Sequence, residues 1–163
     1  MTQIIDPRGL PALSVRQPWA WAIIHAGKPV ENRSHFALDK MGFKARGVDR
    51  FAIHAAKGMT RDEYEDAATF MEKLGVACPS PASLLRGGII GTVRFEGIVN
   101  KSPSPWFFGP KAIVMSDPVA CDFIPATGAL GLFTWAEGDP SAVPGPAKWM
   151  LAGGPSSDGE VFF

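Results

Sequence analysis

The chain has 163 residues, equal numbers of acidic and basic side chains, and a 46% apolar fraction. This length predicts one domain with a sound hydrophobic core, and no apolar run approaches membrane-spanning length. The N-terminal residues lack the basic start and apolar region of a secretory signal. Cys78 and Cys121 lie in no CxxC or Cys/His pattern, which argues against a zinc site. We therefore expect a cytoplasmic protein with reduced thiols and no membrane contact.

The first predicted element is a short apolar strand over Ala12–Val15, after an extended lead-in over residues 1–11. A helix then begins at Pro18, because proline suits the first helical position, and it runs to Ala26. The helix is almost wholly apolar, so we expect it to be buried. Of its two tryptophans, Trp19 and Trp21, at least one should lie in the core.

Glycine and charged residues follow the helix. Gly27 ends it, because glycine readily takes the left-handed conformation of a helix C-cap. The next segment, Lys28–Arg33, is predicted to be a strand, in which Glu31 and Arg33 share a face. Because the connections are short, this segment should lie close to Arg16 and Gln17. The sequence therefore gathers several charges near one end of the helix.

Two motifs carry a resemblance to a known family. The run S-V-R-Q-P-W-A followed by G-K-P-V-E-N-R resembles the activating signal cointegrator homology (ASCH) family, and the stretches Arg50–Lys57 and Trp106–Phe133 fit more weakly. The resemblance implies a domain over residues 12–136, followed by a Gly/Pro-rich tail over residues 137–163. Its fold would be similar to the pseudouridine synthase and archaeosine transglycosylase (PUA) type, a small mixed β-barrel with flanking helices.

The rest of the chain predicts further strands and one more helix. The strands are expected over Arg50–Ala56, Gly88–Val99, Ala112–Met115 and Ala129–Trp135. A bulge is expected at Gly91 or Gly97, and a turn at Asp117-Pro118. The helix begins at Thr60, which forms a capping box with Glu63. About six short strands and two helices are typical of a compact α+β barrel.

Charge is distributed unevenly along the chain. Through Arg61 there are ten Lys and Arg residues against four Asp and Glu, whereas the remainder has six against twelve. This asymmetry predicts a basic face for a polyanionic partner, although the neutral total predicts modest affinity. The loop over Ser34–Asp49 carries Lys40, Lys44 and Arg46. It is either a nucleic-acid arm or lid, or a variable surface insertion.

These features predict a polar pocket that binds RNA, single-stranded DNA or a modified nucleoside, without a cofactor or metal. The candidate binding residues are Arg16, Gln17, Trp19, Lys28, Glu31, Arg33, His54 and Lys57. The cations would contact phosphate, and Gln17, Glu31 or Asn32 would read a base edge. Trp19, Trp21 or Trp106 would stack on a base. Glu31 lies among cations, so we expect its carboxylate to be ionised and to bind a base edge that carries a hydrogen-bond donor. It equally suits a structural ion pair with Arg33.

Two other classes of function stay open. Relatives of the family that hydrolyse an amide on acetylated cytidine use a Lys, a Thr three residues later and a Glu. The Lys falls on Lys28, but Glu31 occupies the Thr position and Asn100–Gly109 offers no acid. A ribonuclease would need Lys28 to stabilise charge while Glu31 or His54 moves protons. The third class is a non-catalytic protein-interaction module that uses Lys101–Gly109 or the tail.

Overall fold

A computed structural model describes residues 4–34, residue 37 and residues 47–151. The chain is a mixed α+β protein, which confirms the predicted class. Its strands are β1 (Ala12–Val15), β2 (Val30–Arg33), β3 (Arg50–Ala55), β4 (Gly88–Val99), β5 (Lys111–Pro125) and β6 (Leu132–Phe133). Its α-helices within the described residues are α1 (Trp19–His25) and α2 (Arg61–Lys73). The predicted loop residues Lys40, Lys44 and Arg46 lie outside the described part of the chain.

The strands form one curled, half-barrel sheet in the order β2-β5-β4-β3-β1-β6. β1 and β3 pair in parallel, whereas the other four strand pairs of this sheet are antiparallel. β4 has register shifts between Ile89 and Gly91 and between Phe95 and Gly97, so irregularities occur near both glycines that predicted a bulge. The curl brings the C-terminal end of β1 close to β2, although β1 and β2 are not neighbours in the sheet order.

The predicted turn at Asp117-Pro118 is wrong. β5 continues through it for 15 residues in total. Asp117 takes a φ of +47° where the pairing of β4 with β5 shifts register, and aspartate tolerates this left-handed conformation better than most residues. Its carboxylate accepts a hydrogen bond from Arg50 of β3. The last strand is also shorter than predicted, because β6 pairs with β1 only through Leu132 and Phe133.

Helix α1 fills the inside of the curled sheet. Ala20, Ile23 and Ile24 pack there with core residues of β1, β3, β4 and β5. Pro18 occupies the N-cap, one position before the predicted one, and Gly27 has the expected positive φ of +70°. The expectation that Trp19 or Trp21 is buried is wrong, because both tryptophans are half-buried. Each one lies at the border of the apolar core.

Helix α2 begins as predicted. The Thr60 hydroxyl accepts from the Glu63 backbone N–H, and the Glu63 carboxylate accepts from the Thr60 backbone N–H. This reciprocal arrangement satisfies two donors that the first turn leaves without helical partners. Ala67 and Met71 of α2 then pack against Ala22 of α1. α2 therefore covers α1 on the side away from the sheet interior.

The described chain after β6, residues 134–151, lies along the surface of the domain. Met150 is buried and packs with Met59 and Leu84, which anchors the described part of the tail. Arg86 also holds this segment, because its guanidinium donates to the backbone carbonyl oxygens of Lys57 and Gly145. No described helix combines the length and apolar character needed to cross a bilayer.

Candidate nucleic-acid-binding site

A pocket of about 320 Å³ opens where the C-terminal end of β1, the start of α1 and β2 meet. We call it the charged pocket. Its lining residues are Ser14, Arg16, Trp19, Lys28, Glu31, Asn32, Arg33 and Phe108. Five of the eight predicted site residues therefore line one pocket. Lys28 and Glu31, whose proximity the sequence predicted, share it.

Glu31 lies between two cations at the centre of the charged pocket. Its Oε1 accepts from Lys28 Nζ at 3.2 Å, and its Oε2 lies 2.9 Å from a terminal nitrogen of Arg33. Lys28 is only 3% exposed and Glu31 only 8%. The Glu31–Arg33 pair confirms that alternate residues of β2 share a face. Two cations against one carboxylate leave this cluster with a net positive charge.

Lys28 is held by a carbonyl, a carboxylate and an aromatic ring. Its Nζ donates to the backbone oxygen of Val30 as well as to Glu31, and it lies 5.6 Å from the ring centroid of Trp19. Burial lowers the pKa of Lys28 from its ordinary value, and the nearby Glu31 carboxylate opposes that change. The Glu31 carboxylate and the Trp19 ring offset part of this effect, and together with the Val30 carbonyl they hold Nζ in place.

Arg33 links β2 to β1 across the pocket. Its terminal nitrogen donates to the backbone oxygen of Ser14 at 2.8 Å. Its Nε is buried and has no hydrogen-bond partner among the described residues. A buried donor of this kind is able to bind a further acceptor, such as an ordered water or a ligand oxygen.

An aromatic wall closes one side of the pocket. Trp19 packs edge-on against Phe108, with ring centroids 6.2 Å apart, and both rings contact Phe70. Phe108 is nonetheless 56% exposed. The Asn32 side chain fixes the turn that carries it, since Asn32 Oδ1 accepts from the Phe108 N–H at 2.8 Å and Nδ2 donates to Trp106 O. Asn32 therefore positions a ring at the pocket wall instead of reading a base edge itself.

Arg16 lies at the rim and is engaged by another element. Its guanidinium donates two hydrogen bonds to the Glu63 carboxylate at the start of α2. These bonds, with a smaller opposing effect of burial, raise the pKa of Arg16. Its side chain is still 49% exposed, so a ligand can approach it. Arg16 contributes positive charge to the rim, but part of that field is offset by Glu63.

The structure corrects the position of Gln17. Its side chain turns away from the charged pocket, donates to Leu85 O at 2.8 Å, and accepts from the Trp21 N–H at 2.9 Å. Gln17 is 2% exposed. It therefore ties α1 to the segment before β4, and no part of it lines the charged pocket.

The structure also corrects the position of His54 and Lys57. They line a second pocket of about 280 Å³, on the other side of Ser14, together with the 125–128 segment and parts of the tail. We call it the histidine pocket. Ser14 lines both pockets. Because β1 and β3 are paired, the prediction that His54 lies near β1 is correct. No sequence pattern indicates, however, that His54 lines a different pocket from Lys28 and Glu31.

Three residues of the charged pocket, Ser14, Asn32 and Phe108, are absent from the eight predicted candidates, although the sequence suggests Asn32 as a reader of a base edge. Ser14 sits inside the S-V-R-Q motif, but a serine in an apolar strand gives no distinct signal of a site. Of the aromatic residues in the Lys101–Pro110 turn, the sequence suggests only Trp106 as a base-stacking residue; Trp106 is buried, and Phe108 lines the pocket instead. Only the pairing of β2 with β5 and the Asn32 contacts bring that turn to the pocket. No group of three or more His, Cys, Asp or Glu side chains in the described residues suits a metal ion.

Compared with known proteins, the chain matches no family model and no curated protein.

Proposed function

We propose that the chain is an ASCH-like domain of PUA-like fold that binds RNA or single-stranded DNA in the cytoplasm, with one unpaired base held in the charged pocket. The observation that supports this proposal is the Lys28–Glu31–Arg33 cluster, in which Lys28 and Glu31 are buried and Arg33 is half-buried, beside a half-exposed Phe108 ring. Charge for the phosphates and a ring for the base are the two components of single-strand recognition.

The free hydrogen-bonding capacity of the cluster suits a base edge. A carboxylate has about four lone-pair positions, and Glu31 uses two of them on Lys28 and Arg33. The remaining positions favour a donor such as an exocyclic amine. Lys28 has three N–H donors and uses two. A pocket of about 320 Å³ is at the small end of ligand sites, which fits a single base or nucleoside.

A hydrolase acting on RNA or a modified nucleoside is the second candidate, and one observation favours it. Lys28 is a buried lysine with a lowered pKa beside a carboxylate, and lysines of this kind serve as bases or nucleophiles. A peptide-interaction module fits less well, because peptide grooves are apolar whereas four of the eight residues that line this pocket are charged.

A panel of labelled RNA and DNA oligomers tests the proposal. Single-stranded and duplex forms of each base composition are titrated by fluorescence anisotropy at low salt, and each mixture is then analysed for cleavage with and without a chelator. We expect at least one single strand to bind more tightly than its duplex. Phe108→Ala should weaken that binding by about 1–3 kcal/mol, the usual value of one stacked base.

Leu130→Ala is the matched control, because Leu130 is a 98% exposed apolar residue outside the pocket. It should leave binding unchanged. Absence of binding to every oligomer at low salt would refute the proposal. Equal binding by Phe108→Ala and the control would place the site elsewhere, and oligomer cleavage would favour the hydrolase.

A further inference from the structure

The histidine pocket contains a serine and a histidine in contact. Ser14 Oγ lies 3.0 Å from His54 Nδ1, and His54 Nε2 lies 2.7 Å from Ala126 O. A carbonyl oxygen only accepts, so Nε2 carries the ring proton and Nδ1 is the acceptor. The Ser14 hydroxyl therefore donates to His54. A hydroxyl bonded to an imidazole that a third group orients is the arrangement of an activated nucleophile.

The base is rigid and uncharged at neutral pH. His54 is 2% exposed, and the Phe133 ring packs edge-on against it with centroids 5.8 Å apart. Burial lowers the pKa of His54 below its ordinary value of 6.5, and the bond to Ala126 opposes that change. The charged groups nearby are Lys57 and Asp139, which line the same pocket, and Arg33, which donates to Ser14 O.

The backbone beside this pair is kept open by a glycine. A Cβ at Gly128 would lie 2.8 Å from His54 Cε1 and 3.3 Å from Ser14 Oγ. Gly128 therefore lets the 127–128 segment pass close to both groups without covering them. Arg86 donates a hydrogen bond to the backbone oxygen of Lys57. This bond fixes the backbone at Lys57, whose exposed side chain lines the pocket.

We propose that Ser14 and His54 form a nucleophile–base pair that hydrolyses carboxylic esters of small acyl groups in the histidine pocket. This activity is separate from nucleic-acid binding in the charged pocket. The volume of about 280 Å³ accommodates a short acyl chain beside the apolar side chains of Pro125, Ala142 and Val143. Lys57 supplies positive charge for the tetrahedral oxyanion.

The reaction proceeds in two balanced halves. Ser14 Oγ attacks the ester carbonyl carbon while His54 Nδ1 takes its proton, and collapse of the oxyanion breaks the C–O bond as the alcohol leaves with that proton. Water then attacks the acyl-Ser14 carbonyl, again through His54, to release the acid and restore the hydroxyl. A carbonyl orients His54 where many hydrolases have a carboxylate, so the imidazolium is stabilised less. Esters are therefore favoured over amides, whose leaving groups are poorer.

Covalent labelling of the full wild-type chain tests the proposal without requiring a variant to fold. Phenylmethylsulfonyl fluoride is added to the native chain, and the modified residue is identified by peptide mass spectrometry. We expect Ser14 to react about 100-fold faster than Ser141, an exposed serine beside the same pocket, since general-base assistance has that order of size. The rate should be constant above neutral pH and fall in acid as His54 becomes protonated.

Variants and a substrate provide the second measurement. Incubation with p-nitrophenyl acetate should leave an acetyl group on Ser14, and Ser14→Ala, His54→Gln and Gly128→Ala should each abolish acetylation or reduce it strongly. Ser141→Ala should behave as the wild type. Labelling of Ser14 no faster than Ser141 in the native chain would overturn the proposal. Because oligonucleotide binding is measured separately, failure here and failure of the binding proposal are distinguishable.

Discussion

Glu31 is the residue on which both the binding proposal and local stability depend. Its carboxylate compensates part of the positive charge of Lys28 and Arg33, and Lys28 is almost fully buried. Removing one member of a buried ion cluster is costly mainly because it leaves the others without compensation. A structural role and a ligand-binding role for Glu31 are therefore not exclusive, and separate measurements address them.

Glu31→Gln should lower the free energy of unfolding by about 3 kcal/mol, because the carboxylate no longer compensates Lys28 and Arg33. Lys28→Met should cost less, since methionine keeps the apolar stem and Glu31 retains Arg33. Urea unfolding measures both, and Glu72→Gln, at an exposed position of α2, is the control. An unchanged urea midpoint together with altered base preference would mean that Glu31 serves the ligand alone.

The predictable part of this site is the part set by neighbours in sequence. Alternation along a strand is enough to put Glu31 and Arg33 on one face, and the ion pair between them agrees. The position of Gln17 depends on Leu85, which is 68 residues away. No local pattern encodes a contact of that range. Ser14 could not be predicted for the same reason, because its partners His54 and Arg33 come from other strands.

At the scale of elements, the start of α2 joins two parts of the chain. Glu63 completes the capping box with Thr60 and also accepts two bonds from Arg16, just after β1. The Arg16 hydrogen bond is the largest cause that lowers the pKa of Glu63 from 4.5 to about 2.

The start of α2 was predictable from the sequence because a capping box spans only four residues. The bulge at Asp117 was not, because it depends on how β5 pairs with β4.

Glu63→Gln should reduce stability at neutral pH and have a smaller effect in acid. The pKa of Glu63 is lower in the folded chain than the ordinary 4.5, so its contribution is present above pH 4.5 and is lost as the pH falls toward 2. The side chain is 34% exposed, so solvent screening keeps the contribution at neutral pH near 1 kcal/mol. Urea unfolding across this range measures the difference from wild type. A difference that does not shrink in acid would contradict the ionic role.

At the scale of the whole molecule, folding pairs much of the basic N-terminal third with acids from elsewhere. Arg16 binds Glu63, Arg50 binds Asp117, and Arg8 binds Glu137. The charge split along the sequence therefore overstates the basic face that the described residues present. We expect any salt dependence of binding to come from few phosphate contacts, among them those of the Lys40, Lys44 and Arg46 segment outside the described residues.

Reversal of Lys40, Lys44 and Arg46 to Glu should weaken oligonucleotide binding and flatten its salt dependence. Each lost contact to a single strand reduces the slope of log K against log salt by about 0.7, so the triple variant should lose at most about 2. The matched control reverses Lys73, Lys101 and Lys148, which are exposed and produce the same change in net charge. Anisotropy titrations from low to moderate salt compare the two. Equal weakening by both triples would mean that net charge, and not a local arm, attracts the strand. A slope that only the first triple flattens would assign phosphate contacts to the Lys40, Lys44 and Arg46 segment.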